Sequence, residues 1–206
     1  MTLTESAAWT PSAPAPAVAL GVDDRIVAAA LVCISRWGLA KTTLDDVARQ
    51  AQCSRATVYR AFPGGKDALV QSVAQGEVAR VAAAVTGRFA GADTLADLLT
   101  AGLAEAARQL VRHPALAFVV AHEPEAIVPW LAFERGEELL AFATSLAAPH
   151  LGRFLPSAEA RRAAEWAARV LLSFCVCPAS GVDLTDDASA RSVVTTFLLP
   201  GLAPDR

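Results

Sequence analysis

Residues 42–62 read TTLDDVARQAQCSRATVYRAF and contain two closely spaced signals for the start of a helix. Thr43, with Asp46 three residues later, has the spacing of a capping box and predicts the start of a short helix. Ser54 is a favourable N-cap and predicts a second short helix that ends near Phe62. Two short helices joined by a turn of about three or four residues are typical of a helix-turn-helix.

The outward face of the second short helix carries the side chains predicted to bind DNA. Arg55 has the planar fork that can hydrogen-bond guanine in a major groove, and the neighbouring hydroxyl groups can bind phosphates. Lys66 is predicted at the start of the next helix, beside free backbone N–H groups that favour phosphate. The alternative is an ordinary solvated helix face. The predicted DNA-binding residues are Thr43, Ser54, Arg55, Thr57, Tyr59, Arg60 and Lys66.

The charges are distributed unevenly along the chain. Residues 22–66 hold seven Lys or Arg against four Asp, a net charge of +3, whereas residues 1–21 carry −1 and residues 67–206 carry −5. A small basic unit attached to a larger acidic body is expected when only one end of a molecule approaches phosphate. The whole-chain charge of −3 therefore does not exclude a nucleic-acid partner.

The rest of the chain has helical periodicity and no useful strand-like alternation. A first helix is predicted from Asp23, with Ile26 and Trp37 on its buried face and Gly38 at its end. Further helices are predicted near residues 66–89, 94–112, 115–122, 125–147, 157–177 and 187–199. We therefore predict an all-α fold in three parts, with a disordered arm over residues 1–21, a helix-turn-helix domain over residues 22–66 and a larger helical domain over residues 67–206.

Composition limits the class of protein further. Hydrophobic residues make up 54% of the chain and charged residues 19%, which excludes a disordered or fibrous protein. The longest apolar run, residues 26–34, is too short for a bilayer, and the first twenty residues lack the basic start of a secretory signal. The four irregularly spaced Cys predict neither a disulfide framework nor a zinc site, so we expect a cytoplasmic protein without a metal or a cofactor.

Taken in order, the first helix, the Thr42-Thr43 pair, the helix from Ser54 to Phe62 and the Lys66-Asp67-Ala68-Leu69 segment resemble the DNA-binding domain of the TetR family of bacterial repressors. The resemblance covers about residues 22–70. It implies a homodimeric repressor, not an enzyme, that binds a palindromic double-stranded DNA operator and is released by a small effector. It also implies that residues 67–206 bind this effector and dimerise through their last two long helices.

The sequence departs from the TetR pattern at two places. The family usually has Gly in the turn where this chain has Gln52, so that either Gln52 is modestly strained or the turn differs slightly. The interval from Phe62 to Lys66 is one residue longer than the commonest form. Neither change is expected to break the fold, although both bear on how the domain docks on DNA.

Aromatic and polar side chains of the middle helices supply the candidates for an effector pocket, with ordinary core packing as the alternative. Two apolar bands, one on the helix after Ser157 and one on the last helix, predict a four-helix dimer interface. The predicted effector-binding residues are Phe118, His122, Trp130, Phe133, Phe142 and Trp166, and the predicted interface residues are Val170, Phe174, Val194 and Phe197.

Two other classes of protein remain as alternatives. An all-α enzyme or metal-dependent protein would use His122, Glu123 and Glu125, but a second His one helical turn away is lacking. A helical adaptor that binds only protein would make the basic segment incidental. Cys175 and Cys177 are expected to be small core residues, and Cys53 in the turn leaves a thiol sensor as a minor possibility.

Overall fold

The computed structural model describes residues 21–126, 128, 133–177 and 179–202, and the regular structure within those ranges is helical. The predicted arm lies almost entirely outside the described residues, as does Trp130. The helices are α1 (Val22–Lys41), α2 (Leu44–Gln50), α3 (Arg55–Ala61), α4 (Gly65–Phe89), α5 (Leu95–Val111), α6 (Pro114–His122), α7 (Phe133–Leu151), α8 (Ser157–Val176) and α9 (Asp187–Val193). A π-helical turn, Val194–Leu198, and a 3-10 turn, Leu199–Leu202, continue α9. The prediction of an all-α fold is confirmed.

The first hydrophobic core holds α1, α2 and α3 together. Ile26, Val47 and Val58 are fully buried in it, one from each helix. The same core takes in Leu69 and Val73 of α4 and Ala115 and Val119 of α6. The three N-terminal helices therefore do not close their own core, because α4 and α6 complete it.

The second core lies in the C-terminal half, between α4, α5, α7, α8 and α9. Leu98 of α5, Leu151 of α7 and Val194 after α9 are among its most deeply buried side chains. Phe89, at the end of α4, is also buried there. Since Leu69 near the start of α4 belongs to the first core, α4 links the two.

Two details of the helix predictions were wrong. Trp37 has the helical phase of a buried residue, yet it lies in the last turn before Gly38, where neighbouring helices leave it 42% exposed. The helix predicted over residues 125–147 does not end near residue 147, since α7 continues through Pro149 to Leu151. Pro149 removes one helical N–H, and the complete burial of Leu151 stabilises the extra turn.

Within the described residues, none of the helices has the length and the apolar run needed to cross a membrane.

Candidate nucleic-acid interface

The helix-turn-helix begins with the predicted capping box. Asp46 N–H donates to Thr43 Oγ1 at 3.2 Å, and Thr43 N–H donates to Asp46 Oδ2 at 3.1 Å. Ser54 caps α3 in turn, since its Oγ accepts the Thr57 N–H at 3.1 Å and lies 2.8 Å from Thr57 Oγ1. These caps fix where both helices start. Both helix starts predicted from the sequence are confirmed.

The capping box gives a pH-dependent prediction. Hydrogen bonds from the Thr43 hydroxyl and N–H hold the pKa of Asp46 below its ordinary value. A carboxylate with a lowered pKa stabilises the fold above its unfolded pKa, and this contribution is lost as the pH falls through the folded pKa. Thr43→Ala should cost about 1 kcal/mol near neutral pH, and the difference from wild type should shrink below about pH 4.

Urea unfolding at several pH values and NMR titration of the Asp carboxyl groups test this prediction. In Thr43→Ala the pKa of Asp46 should rise towards its ordinary value. Asp97, held at low pKa by Thr94 in a second capping box and by Arg191, is the internal control and should not change. An unchanged Asp46 titration in the variant would contradict the assignment.

Gln52 adopts the left-handed conformation, which is the strained one of the two alternatives considered for this turn. Its φ is 54°, in the region that favours glycine. The turn therefore keeps its shape, and the residue bears the strain. Since the side chain is exposed, we expect Gln52→Gly to stabilise the protein by about 0.5–1 kcal/mol.

Urea denaturation measures this gain, with Gln50→Gly as the matched control. Gln50 is also exposed but lies within α2. Glycine there should cost about 0.5–1 kcal/mol. A loss of stability at both positions would show that Gln52 is not strained.

Arg55 and Tyr59 form the centre of the exposed face of α3. Arg55 Nη2 donates to the Tyr59 hydroxyl at 3.3 Å, and its guanidinium carbon lies 5.4 Å from the centre of the Tyr59 ring. Arg55 Nη1 also donates to Asp45 Oδ2 of α2 at 3.2 Å. The Tyr59 hydroxyl and the Asp45 carboxylate both raise the pKa of Arg55, which stays charged.

The other predicted DNA-binding residues border this face. Arg60 is exposed on α3 and forms no ion pair with the described residues. Lys66 is half-buried, and its Nζ donates to the carbonyl oxygen of Ala40 at 3.2 Å. Lys66 therefore joins the start of α4 to the end of α1, a contact that the sequence did not indicate.

The predicted effector-binding residues do not form one cluster. Phe118 stacks on His122 within α6, with ring centres 4.4 Å apart, whereas Phe142 of α7 and Trp166 of α8 are exposed. Trp130 and the side chain of Phe133 lie outside the description. An open groove of about 1040 Å³ runs between α7 and α8, and none of the six residues lines it.

One of the predicted interface residues is wrong. Val194 is completely buried in the second core of its own subunit and offers no surface to a partner, whereas Phe197 is 70% exposed. The apolar band on the last helix is wide enough for one edge, with Val194, to pack into the second core while the other edge, with Phe197, faces solvent. Val170 and Phe174 are half-buried against the same core. Cys177, expected in the core, is exposed at the end of α8.

Glu123 has a role that the sequence did not reveal. Its Oε2 accepts the N–H of Leu39 at 2.7 Å, and its Oε1 accepts the N–H of Ala40 at 3.1 Å. Both carboxylate oxygens are thus occupied by the backbone of α1. The alternative that used Glu123 as an acid–base group loses one of its three residues. In the described part of the chain, no group of three or more His, Cys, Asp or Glu side chains could hold a metal ion.

Comparison with known proteins shows what this chain is similar to. Residues 26–73 match the model of the bacterial regulatory proteins of the tetR family. An uncharacterized HTH-type transcriptional regulator of Mycobacterium tuberculosis is 28% identical over 183 residues, which cover 88% of this chain and 85% of the relative.

Solved structures share the fold at lower identity. The TetR family repressor AlkX from Dietzia sp. has a TM-score of 0.64 and 24% identity, over 86% of this chain and 95% of AlkX. The fatty acid degradation regulator FadR from Bacillus halodurans has a TM-score of 0.62 and 18% identity, over 90% of this chain and 96% of FadR. The repressor SmeT of Stenotrophomonas maltophilia has a TM-score of 0.57 and 18% identity, over 87% of this chain and 92% of SmeT. Residues 26–73 therefore carry the helix-turn-helix of the tetR family of bacterial regulatory proteins, and the described residues share the all-α fold of TetR-family regulators.

Proposed function

We propose that the protein is a cytoplasmic, dimeric repressor that binds a near-palindromic operator and is released by a small apolar effector. The observation that carries the proposal is the exposed face of α3. Arg55, Tyr59 and Arg60 all point away from the first core, while Val58 on the opposite side is completely buried. A short helix anchored in this way can enter a major groove with its N-terminal end against the bases.

Base reading is assigned to Arg55, and backbone binding to most of the other predicted residues. A guanidinium fork matches the two acceptors of guanine in the major groove. Asp45 holds Arg55 on the surface of α3, so the side chain is partly ordered before DNA arrives. Thr57 is proposed to lie beside Arg55 in the groove, and Thr43, Ser54, Tyr59, Arg60 and Lys66 are proposed to bind the DNA backbone.

The proposed dimer interface lies on α8 and the end of the last helix. Trp166 of α8 is 55% exposed and Phe197 is 70% exposed, and these two elements pack against each other. Large apolar side chains at that exposure favour contact with a partner. Two-fold symmetry then presents α3 twice, about 34 Å apart, which matches one turn of DNA.

The proposed effector is a small apolar molecule bound in the C-terminal helical half. AlkX is implicated in the biodegradation of n-alkanes, FadR is a fatty acid degradation regulator, and SmeT is the repressor of a multidrug efflux pump. These names support an apolar ligand here. Since α4 belongs to both cores, effector binding that favours a different tilt of α4 would change the separation of the two α3 helices.

Selection of bound fragments from a random DNA pool tests the proposal. We expect a near-palindromic sequence whose half-sites are centred about one helical turn apart. Binding should weaken steeply with salt, because phosphate contacts release counterions. If no sequence is enriched, and binding to bulk DNA does not depend on salt, the protein is not an operator-binding repressor.

A further inference from the structure

Helix α1 is interrupted at Gly38. The φ of Gly38 is 82°, which breaks the helical path three residues before α1 ends. A new turn follows the break, closed by the N–H and the hydroxyl of Thr42, which both donate to the Gly38 carbonyl oxygen, at 3.3 Å and 2.6 Å. The break frees the N–H groups of Leu39 and Ala40 from the α1 hydrogen-bond ladder.

The carboxylate of Glu123 accepts hydrogen bonds from both of the freed N–H groups. Glu123 caps the C-terminal end of α6, and its two oxygens accept the N–H of Leu39 and of Ala40 at 2.7 Å and 3.1 Å. Hydrogen bonds to an ionised acceptor are the stronger kind. The contact joins residues that are more than eighty positions apart in sequence.

Close packing at Gly38 makes this contact specific. A Cβ atom built on Gly38 would lie 2.8 Å from Glu123 Cδ and 2.8 Å from Phe118 Cε1. Real Cβ atoms do not approach carbon atoms so closely, so the carboxylate and the Phe118 ring occupy space that only glycine leaves free. We call this arrangement of Gly38, Glu123 and Phe118 the corner clamp.

Helix α6 is held at its other end as well. His113 caps α6 by accepting the Leu116 N–H at Nδ1 (3.0 Å), and its Nε2 lies 2.9 Å from Glu77 Oε2 of α4. Val119, in the middle of α6, is buried in the first core. The helix therefore connects α4 with the end of α1, and only two residues separate α1 from α2.

We propose that Glu123 is a positioning residue that sets the orientation of the helix-turn-helix relative to the C-terminal body. The inference rests on the proposed dimeric repressor, because orientation matters when two copies of α3 must meet half-sites at a fixed separation. The clamp lies at a partly exposed corner. When the carboxylate is removed, water can hydrogen-bond the freed N–H groups. The subunit then stays folded, but the contact between the end of α6 and the end of α1 is less constrained.

The test measures how strictly the dimer reads half-site spacing. The operator selected by the wild-type protein is compared with versions that carry one base pair more or one fewer between the half-sites. One base pair changes the separation and rotates the half-sites by about a tenth of a turn. The readout is the ratio of affinities for the native and altered spacings, obtained by fluorescence anisotropy for the wild type and each full-length variant.

Glu123→Ala should reduce this ratio by about tenfold. This is the fold-change expected when a charge-assisted hydrogen bond no longer opposes a change in the orientation of the helix-turn-helix. Glu123→Gln keeps one carbonyl oxygen and should give an intermediate ratio. Glu125→Ala is the matched control, because it removes the same charge from an exposed residue two positions away. Its ratio should equal that of the wild type.

A purely structural role for Glu123 would lower the affinity for all spacings equally. An unchanged spacing ratio in Glu123→Ala and Glu123→Gln would therefore overturn the inference. If Glu123→Ala does not fold, as judged by circular dichroism, an unchanged spacing ratio in Glu123→Gln alone overturns the inference. Failure of the wild-type protein to select any DNA would instead overturn the proposed function, so the two failures are distinguishable.

Discussion

Replacing Arg55 with alanine is expected to lower affinity for the selected operator by about a hundredfold, because each bidentate contact to guanine contributes about 1–3 kcal/mol and the dimer makes two. Affinity for random DNA should fall by less than about fivefold, since only one positive charge per subunit is lost. Anisotropy titrations against both kinds of DNA at one salt concentration measure the two losses.

Arg112→Ala is the control for the loss of charge alone. Arg112 is exposed at the end of α5, outside the helix-turn-helix and outside the proposed dimer interface. Its replacement should leave both affinities unchanged. Equal losses on operator and random DNA in Arg55→Ala would show that Arg55 binds phosphate, and base reading would then have to be assigned to another side chain of α3.

Phe197→Glu is expected to convert the dimer to monomers and to lower operator affinity by at least about a hundredfold. Phe197 is 70% exposed in the subunit, so the change should not disturb the second core. In a dimer, the same change would bury two carboxylates without partners, which costs several kcal/mol. Sedimentation velocity reports the mass, and anisotropy reports operator binding.

Val111→Glu is the matched control, because Val111 is another apolar side chain, 63% exposed, at the end of α5 and outside the proposed interface. Phe174→Glu should also prevent dimerisation, but Phe174 is half-buried against the second core, and its replacement should lower the thermal unfolding temperature as well. Intact Phe197→Glu dimers with normal operator affinity would contradict the proposed interface.

Local chemistry explains why the sequence predicted the helix-turn-helix so closely. The capping interactions of Thr43 and Ser54 involve residues three positions apart, and the helical period that buries Val47 and Val58 is visible within a few turns. Strain at Gln52 was one of the two alternatives that the sequence left open, the other being a slightly different turn, and the φ of 54° corresponds to the strained alternative. The resemblance to the TetR pattern rests on the same short segment.

Contacts between distant segments account for the predictions that were wrong. The apolar character of Val194 and Phe197 is the same in the sequence, but only the packing of neighbouring helices buries the first and exposes the second. Trp37 has the helical phase of a buried residue, but the helices that pack on α1 do not cover it. Periodicity shows which side of a helix is apolar, but not which neighbours cover it.

The all-α class, the position of the helix-turn-helix and the outward face of α3 could be predicted from the sequence, since caps, turns and helical phase depend on residues close together in the chain. That α6 completes the first core and that Glu123 holds the backbone at Gly38 is visible only once the helices are packed. A carboxylate on the surface of a helix carries no sign of its partner in the sequence, because the partner is set by how the helices pack.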